Sequence, residues 1–180
     1  MPPRVVLVGP MGSGKSAVGA LLAHRLGVAL RDTDTDVEAA AGASVAQLFA
    51  AEGEEAFRRR EQDAVLAALA EHDGVLALGG GAVLSAPVRA AMAAHAVVLL
   101  RASWASVGDR VARDRTRPLL AGGAQERWEA LLTARRPLYE QVATAVVDTD
   151  GLGPEEVAGA VLAVLGSAGG PGQSASTTSR

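Results

Sequence analysis

Five short apolar runs punctuate the chain: RVVLV (residues 4–8), VALRD (28–32), VLAL (75–78), AVVLL (96–100) and TAVVD (144–148). Helical patterning separates each run from the next. Short apolar runs bounded by turn residues suit buried strands, and strands interleaved with helices build a parallel sheet covered on both faces. The expected class is therefore α/β. With 49% hydrophobic but only 3% aromatic residues, the core has to be assembled from alanine, valine and leucine, which fits strands of this length. Ligands of such sheets gather beyond the carboxyl ends of the strands. Those ends carry GPMGSGKS, DTDTD, GGG, RAS and DTD.

The 180 residues fit one domain, residues 1–165, with a small lid. The tail at 166–180 is glycine- and serine-rich and is expected to be disordered. A net charge of -3 supplies no basic field, which disfavours a nucleic-acid partner. The chain has no cysteine, so it has neither a disulfide framework nor a thiolate metal site. Three scattered histidines add no cluster, so any metal has to be held by oxygens. No apolar run approaches the ~18 residues of a membrane span. The expectation is a soluble cytoplasmic protein.

Lys15 is the only lysine among 17 cationic residues, the rest being arginine. A compact ammonium differs from a planar guanidinium, so the position calls for a small cation in a tight space. It lies in a stretch, residues 9–16, that fits G-x-x-x-x-G-K-[ST], follows a strand and opens a helical pattern over 17–26. Glycines there let backbone N–H groups turn toward phosphate oxygens at a positive helix end. Lys15 would bridge the outer phosphates and Ser16 would hold Mg²⁺. A further carboxylate for the metal has to come from Asp32, Asp34 or Asp36. In an extended segment all three share one side, with Asp32 suited to the metal and Asp34 to a substrate hydroxyl; helix capping near Val37 is the competing role for Asp34 and Asp36.

Between the second and third runs, Ser44 and Gln47 have capping-box spacing, and a second helical stretch is expected over 53–71. At about 100° per residue from Phe57, the stripe of Ala64, Val65, Ala68 and Leu69 centres near about 50°, with Glu61 at about 40° and Arg58 at about 100°. Both charges fall on the apolar side, while Arg59 points to solvent. This pattern suggests a guanidinium held by a carboxylate and presented to an anion. Gly79, Gly80 and Gly81 permit close backbone approach at a strand end. Residues 110–123 concentrate four arginines before proline and glycines, the composition of a mobile lid that brings positive charge to a phosphoryl group. ARRPLY then offers Arg135 and Arg136.

Taken in order, GPMGSGKS, DTD at 32–34, FR at 57–58 with Glu61, GGG at 79–81, RPLL at 117–120 and RRPLY at 135–139 resemble the shikimate kinase family, over about residues 4–165. The resemblance implies a three-layer P-loop kinase fold: a five-stranded parallel sheet with a helical substrate-binding insertion at about 33–61 and a lid at about 110–124. It implies ATP-dependent phosphorylation of shikimate to shikimate 3-phosphate, with ATP as co-substrate and Mg²⁺ as metal; the chain is expected to be a monomer with no membrane partner. The implied catalytic residues are Lys15, Asp34 and Arg117. The implied nucleotide contacts are Gly12, Ser13, Gly14, Lys15, Ser16, Ala17, Arg117 and, flanking adenine, Arg110 and Pro154. Shikimate would meet Asp34, Arg58, Gly79, Gly80, Gly81 and Arg135, and Mg²⁺ would meet Ser16 and Asp32. In R-x-P-L-Y the matching arginine is Arg135, not Arg136. Two positions depart from the pattern: Ala17 stands where threonine is common, and Asp36 is an extra carboxylate that competes for the roles of Asp34. The alternatives are a gluconate kinase, another small-molecule or nucleotide kinase, and a non-enzymatic ATP-binding switch protein. A guanine-type N-K-x-D motif is ruled out by the lack of a second lysine.

Overall fold

The computed structural model describes residues 2–113 and 123–168. Each apolar run becomes a strand within two residues of its expected bounds: β1 (Val5–Val8), β2 (Leu30–Asp32), β3 (Val75–Ala77), β4 (Val97–Arg101) and β5 (Ala145–Asp148). All pairings are parallel, in the order β2-β3-β1-β4-β5. The described helices are α1 (Lys15–Leu26), α2 (Thr33–Ala41), α3 (Val45–Glu71), α4 (Ala86–Met92), α5 (Trp104–Arg113), α6 (Ala124–Val142) and α7 (Pro154–Ala168). Three residues of the glycine- and serine-rich tail are thus helical, and its remainder lies outside the described residues.

Alternate strand residues enter opposite cores, as the pleat requires. Val6, Val8, Leu76, Val97 and Leu99 pack against Val65 and Leu69 of α3, Met92 of α4 and Tyr139 of α6. Val5, Leu7, Val75, Val98 and Leu100 pack against Val18 and Leu22 of α1 and Val157 and Val161 of α7. β1 is buried on both faces, so each of its side chains contributes on the order of 1.5–3 kcal/mol. It lies between β3 and β4, and the chain winds first to one side of it and later to the other. A crevice therefore opens beyond its carboxyl end.

The chain between β2 and β3 folds as α2 and α3, which share a small core of Val37, Leu48 and Phe57. The capping box is present: the Gln47 N–H donates to Ser44 Oγ at 3.2 Å and the Ser44 N–H to Gln47 Oε1 at 2.8 Å. Gly53 (φ 82°) breaks α3 in two, at the start expected for the second helical stretch.

The aspartate run departs from expectation. β2 ends at Asp32, whose Oδ1 accepts the Asp34 N–H at 3.0 Å and caps α2. Helix thus replaces the extended alternation from Thr33 onward, and the cap is Asp32 rather than Asp34 or Asp36. Asp36 turns aside to Arg31 Nε at 2.5 Å. Similarly, α1 begins at Lys15, ahead of the apolar periodicity, because Gly14 (φ 90°) is already its N-cap.

Candidate active site

The loop between β1 and α1 is fixed from several directions. The Lys15 ammonium folds over it, donating to the carbonyls of Gly9 at 2.8 Å and Pro10 at 3.1 Å. Arg110 Nη2 donates to the Gly12 carbonyl at 2.8 Å, and Trp128 Nε1 donates to the Met11 carbonyl at 2.9 Å. Ser16 Oγ donates to Asp32 Oδ2 at 2.6 Å. That hydroxyl and carboxylate are hard oxygen donors at the mouth of the loop, a donor set that fits Mg²⁺, which takes few protein ligands and completes its shell with phosphate and water.

Three cavities follow one another across this loop. The first, ≈ 640 Å³, is lined by Ala17, Ser103, Ser106, Arg110, Asp150 and Pro154 among others. Asp150 Oδ1 there accepts the Ser103 N–H at 2.9 Å and the Ser106 hydroxyl at 2.5 Å. These bonds, that from Ser106 above all, hold its carboxyl below the ordinary aspartate range. The second, ≈ 260 Å³, lies over Gly12, Lys15, Ser16, Asp32 and Asp34. It shares Gly14, Ala17 and Arg110 with the first. The third, ≈ 230 Å³, lies between the α2–α3 arm and the sheet, lined by Phe49, Phe57, Arg58, Glu61, Gly81 and Arg135 among others. Met11, Asp34 and Gly80 belong to both the second and the third.

The third cavity pairs an apolar wall with two guanidiniums. Arg58 Nη1 donates to Glu61 Oε2 at 2.6 Å, and its guanidinium lies 5.8 Å and 5.3 Å from the ring centroids of Phe49 and Phe57. Glu61 is only 3% exposed, and burial raises its pKa despite the opposing pull of Arg58. Burial alone would depress Arg58, yet Glu61 and then Glu54 outweigh it and leave its pKa raised. Arg135 is buried while Arg136 is exposed. Arg135 Nη1 and the Tyr139 hydroxyl both donate to the Gly80 carbonyl, at 3.3 Å and 2.6 Å. Burial pushes the Tyr139 phenol up to about 12.

Two of the three glycines make room for protein side chains. A Cβ on Gly79 would stand under 3.0 Å from carboxylate oxygens of Asp34 and Glu61, and one on Gly81 would strike the Arg58 guanidinium. Gly80 and Gly81 line the third cavity, while Gly79 makes room for the carboxylates behind it.

The structure thus brings together Gly12, Ser13, Gly14, Lys15, Ser16, Ala17, Asp32, Asp34, Arg58, Gly79, Gly80, Gly81, Arg110, Arg135 and Pro154 along one crevice. Arg117 and most of the expected lid lie outside the described residues. Sequence reasoning does not single out Trp128, and it meets Asp150 only as part of the DTD strand-end motif. The Trp128 contact spans 117 residues, so nothing local announces it.

A phosphate-binding loop on a doubly wound parallel sheet, with a second, cation-lined pocket that shares Met11, Asp34 and Gly80 with the loop's cavity, defines a P-loop kinase of small molecules. A family model for shikimate kinase matches residues 11–166. A shikimate kinase of Streptomyces avermitilis is 58% identical over 91% of this chain and 95% of its own. The solved structure of an Acinetobacter baumannii shikimate kinase in complex with shikimate superposes with a TM-score of 0.90, at 35% identity over 94% of this chain and 95% of that one. A gluconokinase of Sinorhizobium meliloti shares the fold alone, at a TM-score of 0.59 and 19% identity over 93% of each chain. The chain belongs to the shikimate kinase family. It is an ATP-dependent kinase acting on shikimate.

Proposed function

We propose that the three cavities hold, in order, the adenosine, the phosphates and the acceptor, and that Asp34 works at the last junction. The observation that carries this reading is that Asp34 lines both the phosphate cavity and the acceptor cavity, where an attacking hydroxyl has to meet the terminal phosphorus. Arg110 and Pro154 flank the adenine. The amides of Gly12, Ser13 and Gly14 face the phosphates, with Lys15 neutralising the outer ones and Ala17 at the edge. Arg58 and Arg135 hold the shikimate carboxylate, and Gly80 and Gly81 form the floor beneath its ring.

In the transfer step the 3-hydroxyl oxygen attacks the terminal phosphorus, the bond from that phosphorus to the bridging oxygen of ADP breaks, and the hydroxyl proton passes to Asp34. Ser16 and Asp32 would hold Mg²⁺. When bound, the cation neutralises phosphate charge. Arg117 and the remainder of the 110–124 segment act as the lid over the phosphates, and residues 33–61 form the acceptor-binding insertion of a single kinase domain, residues 1–165. We read the chain as a cytoplasmic monomer with no nucleic-acid or membrane partner. The net charge of -3 supports the lack of a nucleic-acid partner, and among the described residues no helix is long and apolar enough to cross a membrane.

The test is ADP release with shikimate, gluconate, AMP or no acceptor, repeated with Arg58→Ala. The expected outcome is turnover with shikimate alone, and in the variant a KM for shikimate raised at least tenfold, about 1.4 kcal/mol, with the KM for ATP little changed. An equal rise for both substrates would remove Arg58 from the acceptor pocket.

A further inference from the structure

The Arg58 guanidinium is engaged along more than one edge. Its Nη1 is bound to Glu61 at 2.6 Å. Its Nε and Nη2 both donate to a single oxygen, Oε1 of Glu54, at 3.3 Å and 3.1 Å. A carboxylate is gripped best by two parallel N–H bonds, and arginine has two edges that offer such a pair: Nε with Nη2, and Nη1 with Nη2. Both edges therefore have a donor already committed to a protein carboxylate. The two partners are not equally mobile. The Glu61 side chain is 4% exposed and locked, whereas that of Glu54 is 52% exposed and stands next to the Gly53 break in α3. Glu61 and the two aromatic rings suffice to fix the guanidinium, so Glu54 is the exchangeable partner.

We propose that Glu54 is a place-holding carboxylate: it occupies the Nε/Nη2 edge of Arg58 until an anionic acceptor displaces it, and thereby tempers the affinity of the pocket for an acid while leaving that for a neutral polyol unchanged. A neutral ligand offers nothing that competes with an ionised carboxylate for that edge. The inference rests on the reading that Arg58 receives the carboxylate of the acceptor. Glu54 touches neither substrate in the productive complex and acts only through Arg58, which makes it a positioning residue that tunes how tightly an acid is held.

Calorimetric titration of shikimate and of its neutral methyl ester into the native chain, Glu54→Gln, Glu54→Asp and Arg58→Ala tests this. Breaking a half-exposed ion pair predicts a shikimate Kd lowered about two- to fivefold in Glu54→Gln, with the ester Kd unmoved. Glu54→Asp keeps the charge but is too short for the contact, so it should behave like Glu54→Gln. Unchanged or weaker shikimate binding in Glu54→Gln overturns the proposal. So does equal tightening of acid and ester, or an Asp variant that binds like the native chain. Should Arg58→Ala leave shikimate binding intact, the acceptor reading of Arg58 fails on its own account. If Arg58→Ala weakens binding while Glu54→Gln does not tighten it, only the place-holder fails.

Discussion

Gly81→Ala isolates one steric requirement of the acceptor pocket. The backbone at Gly81 has φ -95° and ψ -9°, which alanine adopts without strain. The substitution therefore acts through one methyl group, and that methyl would overlap the Arg58 guanidinium. A flexible arginine would normally step aside at little cost. Here it is tied to buried Glu61 at 2.6 Å and flanked by Phe49 and Phe57, so stepping aside means leaving the geometry that grips an anion. A hydrogen bond to a charged group is worth about 1.5–3 kcal/mol, and about 1.4 kcal/mol is tenfold in affinity. One lost bond to the acid thus predicts a KM for shikimate raised about ten- to a hundredfold. The ATP cavities do not include Gly81, so the KM for ATP should stay within about twofold. Steady-state kinetics with each substrate varied in turn measure the split, and the Gly81→Ala, Arg58→Ala double variant should be no worse than Arg58→Ala alone. A shikimate KM equal to the native value would mean that Arg58 is free to relocate, or that it is not in the grip at all.

On the proposed role of Lys15 toward the phosphates, Lys15→Ala should bring turnover below detection while the circular dichroism spectrum of the chain is kept. Tyr139 is the sole tyrosine, so phenolate absorbance reports it directly. It should titrate near 12 in the native chain and near the ordinary 10.0 in denaturant. The native state then binds the extra proton between those values, so stability falls as pH rises through that window, by on the order of 2–3 kcal/mol in total; Tyr139→Phe should lose that slope, and a native titration near 10 would refute it. Trp128→Phe removes the indole N–H that holds Met11, a residue lining both the phosphate and acceptor cavities. The expected result is a loss of about 1–3 kcal/mol in urea unfolding and a lower kcat/KM for both substrates; an effect on one substrate only would sink the idea that the loop itself shifts.

What the sequence made legible follows the range of each interaction. The phosphate loop is written in eight consecutive residues, and Arg58 with Glu61 in one helical period, so both could be read locally. The aspartates were harder because helix start and strand end compete for the same residues. Only the tertiary fit decided that Asp32 would be at once cap and Ser16 partner, and that Asp36 would turn to Arg31. Gly79 and Gly81 announced a need for space but not its occupant, since the groups that fill it come from α2 and α3. Helix α6 shows most clearly what remains hidden. Trp128, Arg135 and Tyr139 are spaced by seven and then four residues, so they share one face. That face holds the Met11 carbonyl of the phosphate loop with one residue and the Gly80 carbonyl of the acceptor floor with the other two. From sequence this spacing is indistinguishable from an ordinary buried stripe. In the fold it makes a single helix the common support of the loop and the pocket that we assign to the two substrates, so a displacement of α6 along its axis should disturb nucleotide and acceptor binding together.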